Sequence, residues 1–206
     1  MASRHRKARK RKRRFAIFCE GQTEREYFRS FPEVSVTVYP PRDPVGDRKK
    51  LLKDALRLIR QEDYDEVWMV FDLDYTPARG STQIEAFERT IREAEKAGLE
   101  VAWSVDAFEL WFCLHYVYTE QRLDRTAYYQ QLSDRWTINY EREGKRRQFA
   151  KDIRQRLLDD PMASEAEAIR RARKLVDRFG SLPLHERNPI TTVYQLVEAL
   201  LNAGNR

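Results

Sequence analysis

Short apolar runs alternate with amphipathic stretches over the first half of the chain, and amphipathic stretches alone fill the second. Residues 15–19 carry no polar side chain beyond a thiol, as expected of a strand buried on both faces. Thr23 and Glu26 have the spacing of a capping box, which predicts a helix running through Tyr27 and Phe28. β-Branched residues over 34–39 predict a second strand, closed by Pro40-Pro41. Leu51, Leu52, Ala55, Leu58 and Ile59 recur at helical spacing within 47–61, and 66–71 predicts a third strand. Ile84, Phe87, Ile91 and Ala94 make one face of a helix over 84–97, with Gly98 suited to its C′ position. A fourth strand over 99–105 precedes an aromatic-rich helix near 108–118. Beyond Tyr118 the strands stop, and 126–136, 147–158, 164–179 and 192–201 read as helices. Capping-box spacings recur at Ser164/Glu167 and Thr192/Gln195, Gly180 closes the third of these helices, and Asn188-Pro189 forms a loop before the last.

Alternating strands and helices predict an α/β fold with a largely parallel four-stranded sheet flanked by helices, because parallel neighbours need crossover connections. The expected division is an arm at 1–14, an α/β core at 15–118 and a helical C-terminal portion at 119–206 packed on the core. Ligands of parallel sheets bind beyond the carboxyl ends of the strands. Two apolar runs end there in acid: Glu20 after the first strand, and Asp72-Leu73-Asp74 after the third. Period-two alternation sets Asp72 and Asp74 on one side of their strand, with Leu73 opposite. If the two strands are parallel neighbours, Glu20, Asp72 and Asp74 meet at one edge. Such a cluster repels itself unless a divalent cation such as Mg²⁺ or Mn²⁺ sits in it.

Other candidates carry a structural explanation beside the chemical one. Glu24 falls in the first turn of a helix, where the dipole favours an acid, and so ranks below Glu20 as a ligand. Glu109 follows the fourth strand; it either joins the acids as a metal ligand, or caps a helix or pairs with an arginine. His115, among Trp111, Leu114 and Tyr116, reads as a packed core histidine. Arg142, Lys145, Arg146 and Arg147 read mostly as a solvated helix start, with Lys145 the choice for an active-site cation. Asn188 to Thr192 suit phosphate binding at helix-terminal amides and a simple helix cap equally well.

Charge changes the picture at one place. The formal net charge is +6, yet nine of the eleven residues from Arg4 to Arg14 are basic. Removing those nine from the 39 Lys and Arg leaves 30 against 33 acidic side chains, so the body is near −3. A block of like charge stays solvated and suits phosphate neutralisation, making Arg9, Lys10, Arg11, Lys12, Arg13 and Arg14 candidate nucleic-acid contacts. A solubilising tail is the plainer reading. Neither a membrane span nor a secretory leader is expected, and Cys19 and Cys113 lie in apolar segments, as reduced thiols of a cytoplasmic protein would. Without a P-loop, ATP hydrolysis would have to come from a partner.

E-G-x-x-E at Glu20-Gly21-Gln22-Thr23-Glu24 together with D-x-D at Asp72-Leu73-Asp74 resembles a Toprim catalytic domain. More narrowly, the chain resembles the RloB-like family of bacterial Toprim-related proteins. The matching stretches add Tyr27-Phe28, Phe108-Glu109-Leu110-Trp111 through His115-Tyr116, and Asn188-Pro189-Ile190-Thr191-Thr192-Val193 with Leu196-Val197. The chain departs from the family pattern twice: Ser104-Val105-Asp106 stands in place of Ser-Asn-Pro, and Tyr140-Glu141-Arg142 in place of Tyr-x-Lys. The resemblance implies a Toprim-like, Mg²⁺-dependent nuclease in anti-phage defence, working beside an ATPase partner. It casts Glu20 as general base or ligand, and Asp72 and Asp74 as metal ligands. The alternative is a non-catalytic nucleic-acid-binding or regulatory subunit of the same shape.

Overall fold

The computed structural model describes residues 11–32, 34–39, 48–74 and 80–204. The sheet contains β1 (Arg14–Cys19), β2 (Ser35–Tyr39), β3 (Glu66–Leu73) and β4 (Glu100–Val105) in the order β2-β1-β3-β4, every pair parallel. From β1 the chain steps to one side, through α1 (Gln22–Arg29), to reach β2. It then crosses back through α2 (Arg48–Leu58) to β3, and α3 (Gly80–Lys96) leads onward to β4. The strand order therefore reverses between β1 and β3, and the crevice at their carboxyl ends is the place where such sheets take ligands.

Alternation along the strands divides the core between the two faces of the sheet. Phe15, Ile17 and Cys19 of β1, with Trp68 and Val70 of β3, face α1 and the helices that follow β4. Ala16 and Phe18, with Val67, Met69, Phe71 and Leu73, face α2 and α3. On the first face lie α4 (Glu109–Leu114), α5 (Arg125–Trp136), α6 (Arg147–Asp159), α7 (Glu165–Phe179) and α8 (Val193–Gly204). The helical C-terminal portion thus shares one continuous apolar core with β1 and α1. Among the described residues, no helix is long and apolar enough to cross a membrane, and both cysteines are buried free thiols.

An aromatic interlock fixes α1 against α4. Tyr27 meets Phe108 and Phe112 edge-on at 5.9 and 5.4 Å, and accepts a hydrogen bond from Trp111 Nε1 at 2.9 Å. Edge-to-face pairs of this kind each add about 0.5–1.5 kcal/mol beyond their burial. His115 is part of the same packing: its Nδ1 lies 3.0 Å from the Trp111 carbonyl, and burial pushes its pKa down to about 4. It is a core histidine, as its apolar neighbours predict.

The expected capping boxes form only in part. Ser164 caps α7 by accepting the Glu167 N–H at 3.2 Å, but its own N–H goes to the His115 carbonyl at 3.0 Å and the Glu167 carboxylate pairs with Arg170. At α1, however, Gly21 is the N-cap without any side-chain bond, and Glu26 is buried against α6. One Glu26 oxygen lies 3.3 Å from Arg25, 3.3 Å from Arg29 and 3.1 Å from Arg147, so packing took the residue that local spacing assigned to a cap. Thr192 Oγ1 accepts the Trp103 N–H at 2.8 Å, while the Thr192 and Val105 amides bond across to the 103 and 190 carbonyls. An isolated antiparallel bridge, Ser104 to Thr191, completes this cover on the β4 edge. The segment before α8, with a cis Asn188-Pro189 bond, therefore spends its polar groups on the sheet.

Arg11, Arg13 and Arg14 are engaged by acids of the body. Arg11 pairs with Asp65 at 3.0 Å, Arg13 with Glu66 at 2.8 Å and Arg14 with Glu62 at 3.1 Å, while Lys12 donates to the Pro32 carbonyl at 2.7 Å. Arg9 and Lys10 lie outside the described residues.

Candidate active site

At the switch point a cavity of about 200 Å³ is lined by Glu24, Asp72, Glu109, Arg125, Tyr129 and Lys145. Strand parity explains its membership. Asp72 shares a face with Trp68 and Val70, so its carboxylate turns toward α1 and α4. There Glu24, in the first turn of α1, and Glu109, the first residue of α4, are both buried. Asp72 Oδ2 accepts the Phe108 N–H at 3.0 Å, which ties the end of β3 to the start of α4.

Glu20 is placed differently. Cys19 pairs with Val70, so continuing the register sets Glu20 beside Phe71, on the α2 side of the sheet. Its Oε1 lies 3.3 Å from Arg48 Nε, and Arg48 also donates to the Asp72 carbonyl at 2.6 Å. Glu20 stands at the rim across the sheet from Asp72, contributing field rather than sharing the pocket. Asp74 lies just past β3, where it is about half exposed and ion-pairs with Arg125. Asp72, Glu109 and Lys145 of the sequence candidates thus come together. Glu20 and Asp74 flank them, and Glu24 stands where Glu20 was expected.

Gly21 accounts for the position of Glu24. Its φ is −101°, an ordinary extended value that any residue adopts. What glycine provides is space, because a Cβ there would overlap the Glu24 carboxylate. Gly21→Ala is expected to push Glu24 out of the pocket. Since only the flexible end of that side chain must move, thermal denaturation should show less than about 1 kcal/mol lost, while any cleavage activity falls roughly tenfold or more. Gly144 does the same for the buried Tyr140 ring.

Lys145 reaches the pocket through a feature that periodicity missed. Tyr140–Gly144 is a π-helix, whose wider turn brings residues five apart onto one side. Tyr140 donates to Glu109 Oε1 at 3.2 Å, and Lys145, at the end of the turn, donates to the Tyr129 hydroxyl. The ammonium also lies 4.1 Å from the centre of the Tyr129 ring.

The electrostatics follow from burial. Burial, then the charges of Glu109 and Glu20, lifts Glu24 to about 7 against the pull of Lys145. Asp72 is held well above the usual carboxylate range by burial first, then by Glu24 and Glu109. Glu109 is raised by burial, with Lys145 and the Tyr140 hydroxyl opposing. Ionised together, Glu24, Asp72 and Glu109 carry three negative charges against the single one of Lys145, because Arg125 is already engaged by Asp74. The net imbalance matches one divalent ion, and carboxylate oxygens are the ligands that hard cations prefer. Among the described residues, no group of three or more His, Cys, Asp or Glu side chains already converges as a cage for a metal. The pocket fits a divalent cation in charge and donor type, and the carboxylates would have to close on it.

An all-parallel α/β domain with an acid pocket at its switch point defines the class of protein. A family model for RloB-like proteins matches residues 15–200, and the chain belongs to that family. Comparisons with curated proteins and with solved structures return no match.

Proposed function

We propose that this chain is a Toprim-like, divalent-cation-dependent nuclease that cuts phosphodiester bonds in nucleic acid. The observation that carries the reading is the trio of Glu24, Asp72 and Glu109 brought to one cavity with Lys145 beside them, each carboxyl raised first by burial. Mg²⁺ or Mn²⁺ held by these carboxylates would supply charge neutralisation at a non-bridging oxygen and a water activated near neutral pH. Lys145 faces the same space and would contact phosphate charge directly. Glu20 and Asp74 would tune the pocket from its rim through Arg48 and Arg125. Work beside an ATPase partner in antiviral defence belongs to the same proposal, on the family resemblance.

The test is cleavage of tRNA, single-stranded DNA and duplex DNA by the purified chain with Mg²⁺, Mn²⁺ or EDTA. Cutting that requires the cation upholds the reading. The second reading is a nucleic-acid-binding subunit without turnover, which the basic residues of the N-terminal stretch would serve without any metal. Binding of these polymers with no cutting would support it.

The arm should matter to affinity. Five basic residues lie within 1–10, whereas Arg11, Arg13 and Arg14 already have acidic partners. Deleting residues 1–10 is expected to flatten the salt dependence of duplex binding by up to about four units of log–log slope, and Arg11→Gln by less than about one. Filter binding across a salt series reads both. Equal slopes with and without the arm would remove it from the interface.

A further inference from the structure

The residues around the acid pocket fall into two chemical groups. Glu24, Asp72 and Glu109 come from α1, β3 and α4, whereas Arg125, Tyr129 and Lys145 come from α5 and the end of the π-turn. Arg125 and Tyr129 stand at i and i+4 of α5, so one face of that helix supplies both. Lys145 joins them by donating to the Tyr129 hydroxyl, and its carbonyl accepts from Gln22, another lining residue, at 3.0 Å.

Each of these three has a donor to spare. Burial first, then the charges of Glu109 and Asp72, raise the Tyr129 phenol despite Arg125, so it keeps its proton at neutral pH. Its oxygen already accepts from Lys145, and among the described residues no acceptor takes that proton. Tyr140 is the contrast: with its ring centre 5.6 Å from that of Tyr129, it gives its own proton to Glu109 at 3.2 Å. Arg125 pairs with Asp74 and donates to the Asp106 carbonyl at 2.8 Å, both through Nη2. Its Nε and Nη1 make no hydrogen bond to a described residue, and the Lys145 ammonium spends a single N–H. Donors on one side, facing carboxylates suited to a cation, match an anion with several acceptor oxygens. The cavity of about 200 Å³ is well above the roughly 30 Å³ of a water and below the about 300 Å³ at which pockets enclose a whole drug-sized ligand. It has room for a phosphate group, with base and sugar left outside.

We propose that Arg125 and Tyr129 join Lys145 as a phosphate-binding wall, which holds the oxygens of a phosphate group against a cation on the carboxylate side. The proposal rests on the nuclease reading above and deepens it. What the pocket recognises is the phosphate, whatever base it carries, by charge-assisted hydrogen bonds from fixed donors.

Titration calorimetry of the full chain with dimethyl phosphate and with methyl phosphate, each in Mg²⁺ and in EDTA, tests this without any cleavage step. The first probe stands for an internal phosphodiester and the second for a strand end. Dimethyl phosphate should bind in Mg²⁺, and at least about tenfold more weakly in EDTA, where the carboxylates face it bare. Tyr129→Phe keeps the ring beside the ammonium and removes the donor, so binding should weaken roughly tenfold. Arg125→Lys keeps a charge for Asp74 and loses the planar fork, and a similar loss is expected. The denaturant midpoint of each variant shows whether a loss reflects the wall or a loosened fold. Binding of methyl phosphate alone, weakened in both variants, keeps the wall and assigns it a strand end. No binding of either ester in either buffer, or binding unchanged in both folded variants, overturns the wall; cation-dependent cutting by such a chain leaves the nuclease standing. Ester binding that both variants weaken, in a chain that cuts no polymer, keeps the wall and removes the nuclease.

Discussion

Asp72→Asn is expected to abolish cation-dependent cleavage, by about a thousandfold, while leaving the protein folded and as stable as before or more so. The two halves of this expectation have separate causes. Asp72 is the one pocket carboxylate carried by the sheet itself, and its neighbours Glu24 and Glu109 hang from helices on either side of it. On the proposed function, losing it would remove one of the three charges that hold the ion. A loss of several kcal/mol of transition-state stabilisation corresponds to about three orders of magnitude in rate. Stability runs the other way, because burial and two like charges oppose ionisation of this carboxyl. An asparagine carries no charge to bury, and its carbonyl can still accept the Phe108 N–H now held at 3.0 Å. Asp72→Ala should be equally inactive but less stable, since that amide would be orphaned at a cost of about 1–3 kcal/mol. Denaturant melts at pH 8 and gel assays of cleavage together read these effects. An asparagine variant with full activity would remove Asp72 from the chemistry.

The fold and the site differ in how much of each can be read from the chain. Strand and helix order follow from periods of two and 3.6, and β1, β3, α3 and α5 start or end within a few residues of where apolar spacing puts them. Which acids meet depends on parity between neighbouring strands, a non-local quantity. The pairing of Cys19 with Val70 sends Glu20 and Asp72 to opposite faces, although both sit at strand ends on the same edge. With the strand order known, counting from Phe18 and Val70 would have shown it. Glu24 ranks low on local grounds, because an acid in a first helical turn already has a reason to be there. Its burial in the pocket, and the overlap of a Gly21 Cβ with its carboxylate, show that it does more.

The place of Lys145 is not legible from local spacing, because Tyr140 and Lys145 share no face of an α-helix. The π-turn that joins them answers to the packing of Tyr140 against Gly144 and Glu109, which no local spacing encodes. Glu26 shows the same competition in reverse. A sound capping pattern at α1 lost to three guanidinium groups brought in by its own helix and α6. Local rules held where one element decides, and gave way where a helix from the other half of the chain arrives.

In EDTA the protein should lose stability as pH rises from about 4.5 to about 7, and Glu24→Gln should remove a large part of that loss. The sign follows from the direction of the shift. Glu24 titrates at about 7 in the fold against 4.5 for an ordinary glutamate, so the folded chain binds the extra proton over that window. A group whose folded pKa is raised contributes stability below its unfolded pKa, and that contribution is gone once pH passes the folded value. The difference corresponds to something on the order of 3 kcal/mol for this group alone. Asp72 and Glu109, shifted the same way, steepen the slope further. Glutamine has no proton to lose, so the variant should show the shallower pH profile left by the other two acids. On the proposed reading a divalent cation would act on the same balance from the other side, binding the ionised trio and stabilising the fold by mass action. Adding Mg²⁺ at pH 8 should therefore raise the denaturant midpoint of the wild type markedly, and that of Glu24→Gln far less. At pH 5, where the carboxyls hold their protons, the ion should do little to either. A wild-type midpoint indifferent to both pH and Mg²⁺ would mean that the three carboxylates do not act as one site.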